Sequence, residues 1–259
     1  MSALPLDPAT PAGHPRGAAF FDIDKTVSAT PAMVAFARPL YDAGLIGKRL
    51  VAHAAWQHLR FKARRSNPAR MAEIRAAGLE IIRGWDAAEV RRIVERSLPE
   101  VLAPAVYDDA LALIRAHQRR GDEVWLVSAE PVEIVEPLGA FLGVDGTIGS
   151  EATVGSDGRY TGEAATWVYG PDKAVAIRAL ADRRGLDLAA SFAYSDSATD
   201  LPMLEVVGHP RCINADRALS RTARRRGWTR LRFRPGKPTL AGGAADAAVV
   251  RTGALAPAS

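Results

Sequence analysis

Ala18-Ala19-Phe20-Phe21-Asp22-Ile23-Asp24-Lys25-Thr26 decides the fold. A short apolar run stops at two acids one residue apart, and a threonine follows. Such a run, bounded by a break, reads as a buried strand. Buried strands of open α/β sheets carry their chemistry at their carboxyl ends. Side chains at i and i+2 of an extended segment share a side, so Asp22 and Asp24 can face one crevice. Two carboxylates that close repel, and one stays protonated unless a cation intervenes. Magnesium, which prefers oxygen ligands, suits the position.

The chain around this stretch has 259 residues, 48% hydrophobic and 24% charged. That is an ordinary globular composition, enough for one large or two small domains. Cys212 is the only cysteine, which excludes an intramolecular disulfide and a Cys-rich zinc site. One cysteine suits a reducing compartment, and the expected location is cytoplasmic. Residues 1–15 lack the apolar core of a signal peptide, and no run of about 18 apolar residues suggests a transmembrane helix. The net charge is +5, unevenly spread. Lys48–Arg70 holds seven Lys/Arg and no acid, and Arg211–Lys237 holds ten with the single acid Asp216. Such clusters suit nucleic acid, anionic lipid or a phosphorylated substrate, or are simply a solvated surface. The second cluster has no aromatic ladder for stacking on bases.

In chain order, residues 1–16 are expected to be disordered. After the strand at 18–23 comes a block without strands. Met33–Ala43, Leu45–Lys62, Ala69–Arg83 and Ala87–Val101 have helical periodicity. Gly44 and Gly84 suit helix ends, and Asn67-Pro68 and Asp86 suit helix starts. From Pro104 helices and strands alternate. Helices are expected at Pro104–Arg120, Val132–Leu142, Pro171–Gly185, Asp200–Val207 and Arg217–Gly227. Strands are expected at Glu123–Val127, Ser191–Tyr194, Arg211–Asn214 and Thr229–Phe233. Ser156-Asp157-Gly158 marks a β-hairpin within Thr147–Thr161. Alternation of this kind predicts an α/β fold, a Rossmann-like parallel sheet with right-handed crossovers. The expected organisation is a core of residues 17–30 and 104–234, an all-helical cap at 31–103 above the carboxyl edge of the sheet, and a flexible tail at 235–259. Cap movement would hinge near Ser28–Pro31 and Leu102–Pro104.

Other element ends supply polar groups that a parallel sheet brings toward Asp22 and Asp24. Val124-Trp125-Leu126-Val127 ends in Ser128. Gly170-Pro171-Asp172 introduces Lys173. Phe192-Ala193-Tyr194 ends in Ser195-Asp196-Ser197-Ala198-Thr199-Asp200. Carboxylates to hold magnesium, with a lysine and a hydroxyl for phosphoryl oxygens, make a phosphoryl-transfer kit. One carboxylate can attack phosphorus and another can move protons. Lysine in the first turn of a helix opposes the macrodipole, which favours an anion-binding role over a solvent-facing one.

The four pieces, in this order, resemble the motifs of the haloacid dehalogenase (HAD) superfamily. Asp22-Ile23-Asp24-Lys25-Thr26 is similar to its Asp-x-Asp-x-Thr motif, Ser128 to its second, Lys173 to its third, and the acids Asp196 and Asp200 to its fourth. A helical cap between the first two motifs is similar to subfamily IB, which includes phosphoserine phosphatase. The resemblance covers roughly residues 17–234 and implies a Mg2+-dependent phosphomonoesterase working through an aspartyl-phosphate. It implies Asp22 as nucleophile, and Asp24 as general acid/base with its backbone carbonyl on the metal. It also implies Asp22 and Asp196 as magnesium ligands, and Ser128 and Lys173 as phosphate-binding residues. Thr26 steadies the first loop and stands with the phosphate-binding group. Asp200 supports the metal or orients Lys173, with Ser197 beside it.

Two departures accompany the match. Position 25 is lysine where many relatives have glycine or asparagine. The fourth motif reads Ser-Asp-Ser rather than Gly-Asp-Gly, which points away from strict phosphoserine specificity. In the cap, His53, Trp56 and Arg60 share a helical face; they either pack on the next helix or recognise the substrate. His14 and His117 give no signal, and Cys212 reads as a core residue. The expected partner is a small phosphorylated metabolite, with no obligatory nucleic acid. Phosphoserine, a sugar phosphate, histidinol phosphate and a lysophospholipid all remain open as substrates. The alternatives are a phosphoserine phosphatase specifically, a phosphotransferase, or a non-catalytic basic protein that binds nucleic acid or anionic lipid.

Overall fold

The structure, a computed structural model, describes residues 16–47 and 68–234. The decisive stretch forms β1 (Ala18–Phe21), wholly buried. Its side chains alternate between two cores. Ala19 and Phe21 join one cluster, while Ala18 and Phe20 join the other. A strand buried on both faces has the apolar continuity of a parallel-sheet centre.

The chain continues through α1 (Ala32–Ala35), α2 (Ala37–Asp42), α3 (Pro68–Ile82), α4 (Ala87–Val101), α5 (Asp108–Arg120), β2 (Glu123–Pro131), α6 (Val132–Leu142), β3 (Gly146–Val154) and β4 (Tyr160–Thr166). Then follow α7 (Pro171–Arg184), β5 (Phe192–Ser195), α8 (Leu201–Glu205), β6 (His209–Ile213), α9 (Arg217–Arg226) and β7 (Thr229–Leu231). The sheet order is β4-β3-β2-β1-β5-β6-β7. All pairs are parallel except β3–β4. The chain leaves β1 on one side for β2 and β3 and on the other for β5 to β7. The carboxyl end of β1 is therefore the topological switch point, where open α/β sheets form their crevice.

Residues from α4, α5 and α6 cover one face, among them Val94, Leu113, Ile114, Ile134 and Leu138. Residues from α7, α8 and α9 cover the other, including Ile177, Leu180, Leu204 and Leu219. Local chemistry sets the helix ends. Asp86 and Asp216 cap α4 and α9, accepting from Glu89 N at 2.9 Å and Leu219 N at 2.7 Å. Proline opens α7, and left-handed glycines close α5, α6, α7 and α9.

Several expectations shift. The helix expected at Met33–Ala43 is two pieces broken at Phe36, because Pro39 has no N–H to give the Ala35 carbonyl. The helix expected from Pro104 begins four residues later. Ala103–Ala105 form a single 3-10 turn; beyond it Ser28 bridges Val106 and Tyr107 N donates to the Val27 carbonyl, so Val106 and Tyr107 are extended. The two expected hinge segments thus lie side by side, with Ala29 N bonded to the Ala105 carbonyl. The hairpin is not a free-standing addition. The first half of β3 is the parallel neighbour of β2, and its second half turns back against β4. Gly146 permits this pairing, since a Cβ there would lie 2.3 Å from the Trp125 ring. Most of the helix expected at Leu45–Lys62, the N-terminal segment and the tail lie outside the described residues. Among the described residues no helix is long and apolar enough to cross a membrane.

Candidate active site

Asp22 follows β1 directly. Its backbone N–H donates to the Tyr194 carbonyl at 3.0 Å, so the last rung to β5 holds the nucleophile candidate in register. The chain then turns tightly. The Ile23 carbonyl accepts from the N–H groups of Thr26, Val27 and Ser28. The turn requires a positive φ at Lys25, 59°. That left-handed conformation favours glycine or asparagine, which explains the residues expected at this position. The lysine side chain is 58% exposed, with Nζ 3.9 Å from Asp196 Oδ2. Asp22 and Asp24 both line one cavity of about 440 Å³.

Lys173 reaches the same point from the first turn of α7. It is 3% exposed. Its ammonium donates to Asp22 Oδ1 at 2.7 Å and Asp200 Oδ2 at 2.9 Å. Ser195 Oγ donates to the same Asp200 oxygen at 2.7 Å. Asp200 thus aims Lys173. Asp196 follows β5, and its carbonyl accepts from Asp216 N at 2.8 Å. Ser128, on β2, is buried and lines the cavity, and its hydroxyl accepts from Glu130 N at 3.1 Å. It does not cap α6, whose cap position is Pro131. Ser197 also lines the cavity, and its hydroxyl shares a hydrogen bond with that of Thr199 at 3.0 Å.

Thr26 lies in the first loop, its N–H bonded to the Ile23 carbonyl. It is wholly buried, is not among the cavity-lining residues, and its hydroxyl has no hydrogen-bond partner. His53, Trp56 and Arg60 fall outside the described residues. The basic run at Arg211–Lys237 has a local account: Arg224, Arg225 and Arg226 end α9, where cations offset the dipole, and Arg226 pairs with Glu205 at 2.7 Å.

Glu130 was missed from sequence. It lines the cavity, accepts from Met33 N at 3.3 Å and hydrogen-bonds Asp24, whose Oδ1 also accepts from Ala32 N at 3.0 Å. Its signal was available, because Glu130 stands two residues from Ser128 on one strand and so shares its side. Arg75, Trp167 and Tyr169 also line the cavity, and no motif announces them.

Burial pushes Asp22 up to about 7 against the pull of Lys173, and pushes Asp196 up to about 8. Asp24 is also raised by burial, and Glu130 lies well above the carboxylate range through burial and the nearby Asp24 charge. Burial alone would lower Lys173, but the charges of Asp200 and Asp22 reverse this and keep it protonated. Five acids thus face Lys173 and the half-exposed Lys25. Such a donor set fits a divalent cation. No cluster of three metal-ligating side chains exists among the described residues. A cation here would accordingly take two carboxylates and a backbone carbonyl, keeping waters as magnesium does.

A doubly covered parallel sheet with this site at its switch point defines a class, and family comparison agrees. Residues 19–205 match the model of the haloacid dehalogenase-like hydrolases, and the chain belongs to that family of enzymes. It is 45% identical over 219 residues to the inhibition of morphological differentiation protein of Streptomyces azureus, covering 85% of this chain and 79% of that one. It is 42% identical over 229 residues to a Mycobacterium tuberculosis protein named probable phosphatase, covering 87% and 79%. It is 35% identical over 219 residues to phosphoserine phosphatase SerB1 of the same organism, covering 84% and 71%. Among solved structures, a Bordetella pertussis protein of unknown function is similar with a TM-score of 0.72 and 26% identity, over 84% of this chain and 98% of that one.

Proposed function

We propose that this protein is a Mg2+-dependent phosphomonoester hydrolase acting through an aspartyl-phosphate on Asp22. One observation carries the reading: the buried Lys173 ammonium lies between Asp22 and Asp200 at the carboxyl end of the central strand. Relatives named phosphatases support it.

An oxygen of Asp22 attacks phosphorus, and the P–O bond to the leaving alcohol breaks as the new bond forms. Asp24, raised by burial, gives its proton to the leaving oxygen. It then takes a proton from the water that attacks phosphorus and frees the Asp22 carboxylate. Lys173 and the Ser128 hydroxyl hold phosphoryl oxygens, where transition-state charge gathers. Asp22, Asp196 and the Asp24 backbone carbonyl would hold magnesium, which supplies charge neutralisation at the phosphoryl group.

Phosphate release from para-nitrophenyl phosphate tests the proposal. The wild-type protein releases phosphate with magnesium and no added acceptor, which separates hydrolysis from phosphotransfer. Asp22→Asn lowers the rate by roughly three to six orders of magnitude while the melting curve stays cooperative. Retained turnover in Asp22→Asn would remove Asp22 from the role.

A further inference from the structure

We infer that the substrate is a phosphomonoester whose leaving group is mainly a linear apolar chain, an inference that rests on the phosphatase reading above. The 440 Å³ cavity does not end at the phosphoryl site. It continues between the helices and β4, and Phe36, Leu79, Ile82, Val94, Ile134 and Trp167 line it. A volume of this size takes a ligand well beyond a three-carbon amino acid.

Apart from the exposed Glu151, the charged groups on its walls have protein partners. Glu130 is held by Met33 N and Asp24. Glu133 hydrogen-bonds Tyr160. The Arg75 guanidinium lies over the Trp167 ring, 5.4 Å from its centroid. An ammonium and a carboxylate entering this chamber would have to break such pairs, whereas an alkyl chain need not.

Helix α3 presents Arg75, Gly78, Leu79 and Ile82 to the chamber, at the three-and-four spacing of one helical face. Gly78 is the informative member. It sits mid-helix without a positive φ, and a Cβ there would meet nothing within 4 Å. Neither backbone nor packing requires glycine; its effect is open space in the chamber wall.

The test uses n-alkyl phosphates from ethyl to dodecyl, lysophosphatidate, a prenyl monophosphate and phosphoserine, all below their micellar concentrations. Both kcat/KM with magnesium and calorimetric binding to Asp22→Asn are measured. Affinity should rise about fourfold per methylene and level off once the chamber is full, with phosphoserine far below the plateau. Lysophosphatidate and the prenyl ester then show whether the chain arrives as an acyl glycerol or as an isoprenoid. Gly78→Leu, which also favours the helix, should lower the dodecyl-to-butyl ratio of kcat/KM and bring the plateau to shorter chains. Binding that is flat with chain length, or phosphoserine bound better than decyl phosphate, would overturn the inference. If no ester turns over, the phosphatase reading fails, and binding to Asp22→Asn still decides what the chamber holds.

Discussion

Lys25 shows how one residue joins backbone strain to site chemistry. Its φ of 59° is forced by the turn that presents Asp24, and its ammonium lies 3.9 Å from Asp196. Replacement by glycine relieves the left-handed strain but loosens the unfolded chain, effects of about 1 kcal/mol each with opposite sign. Stability should hardly change. The electrostatic effect has no such offset, since removing a cation beside a proposed magnesium ligand strengthens metal binding. Lys25→Gly should lower the magnesium concentration for half-maximal activity a few-fold at low salt, and less as salt screens the charge. An unchanged magnesium titration would show that the lysine head stays in solvent. Asp200 makes a similar point through a neighbour, since its carboxylate touches Lys173 and Ser195 and aims the lysine at Asp22. Asp200→Asn should therefore raise KM for phosphomonoesters and lower kcat, while Asp200→Glu restores part of both. Kinetics equal to the wild type would remove the positioning role.

Among the elements, β5 carries the clearest energetic test. Tyr194 stacks on Phe21 with ring centroids 4.3 Å apart, and its hydroxyl meets His117 Nε2 at 2.7 Å. His117 Nδ1 meets Asp122 at 2.6 Å, and all three residues are buried. Tyr194→Phe keeps the ring and removes the hydroxyl, leaving a buried imidazole nitrogen unpaired. That should lower unfolding stability by roughly 1–3 kcal/mol, read from the urea midpoint at unchanged slope; an unmoved midpoint would mean water replaces the hydroxyl. Sequence gave no hint of this network, because a lone histidine in a helix has no periodic signature and its partners lie in β5 and the loop before β2. The opposite holds for β1, β5 and the four motifs. Runs that are apolar throughout and end in acids or serine state both burial and direction, so Asp22, Asp24, Ser128, Asp196 and Asp200 were legible, and Lys173 stood out as a cation in the first turn of a helix. What stayed illegible depends on partners. The hairpin was readable from Ser156-Asp157-Gly158, but not that β3 also pairs with β2, and Pro39 was passed over within a helical period.

At the scale of the molecule, the fold concentrates negative charge at one point and burial resists its ionisation. Asp22 and Asp196 move from 3.8 to about 7 and about 8. Between pH 3.8 and about 8 the folded protein therefore binds more protons than the unfolded chain, and stability falls as pH rises through that window. The penalty is absent below 3.8 and complete above about 8. His117 acts in the other direction, since burial lowers it and its penalty appears only as pH falls below 6.5. Chelator-treated protein should accordingly lose melting temperature between about pH 6.5 and 8, where the histidine no longer contributes, and level off above that. Magnesium, bound by the ionised acids, should restore it, and by more at pH 8 than at pH 6, because cation and protons compete for the same oxygens. Asp196→Asn removes one buried carboxylate. It should flatten the alkaline decline of the chelator-treated protein and abolish the magnesium increment. Scanning calorimetry with and without magnesium across this range measures both effects. A magnesium increment independent of pH, or one that survives Asp196→Asn, would place the cation away from these two acids.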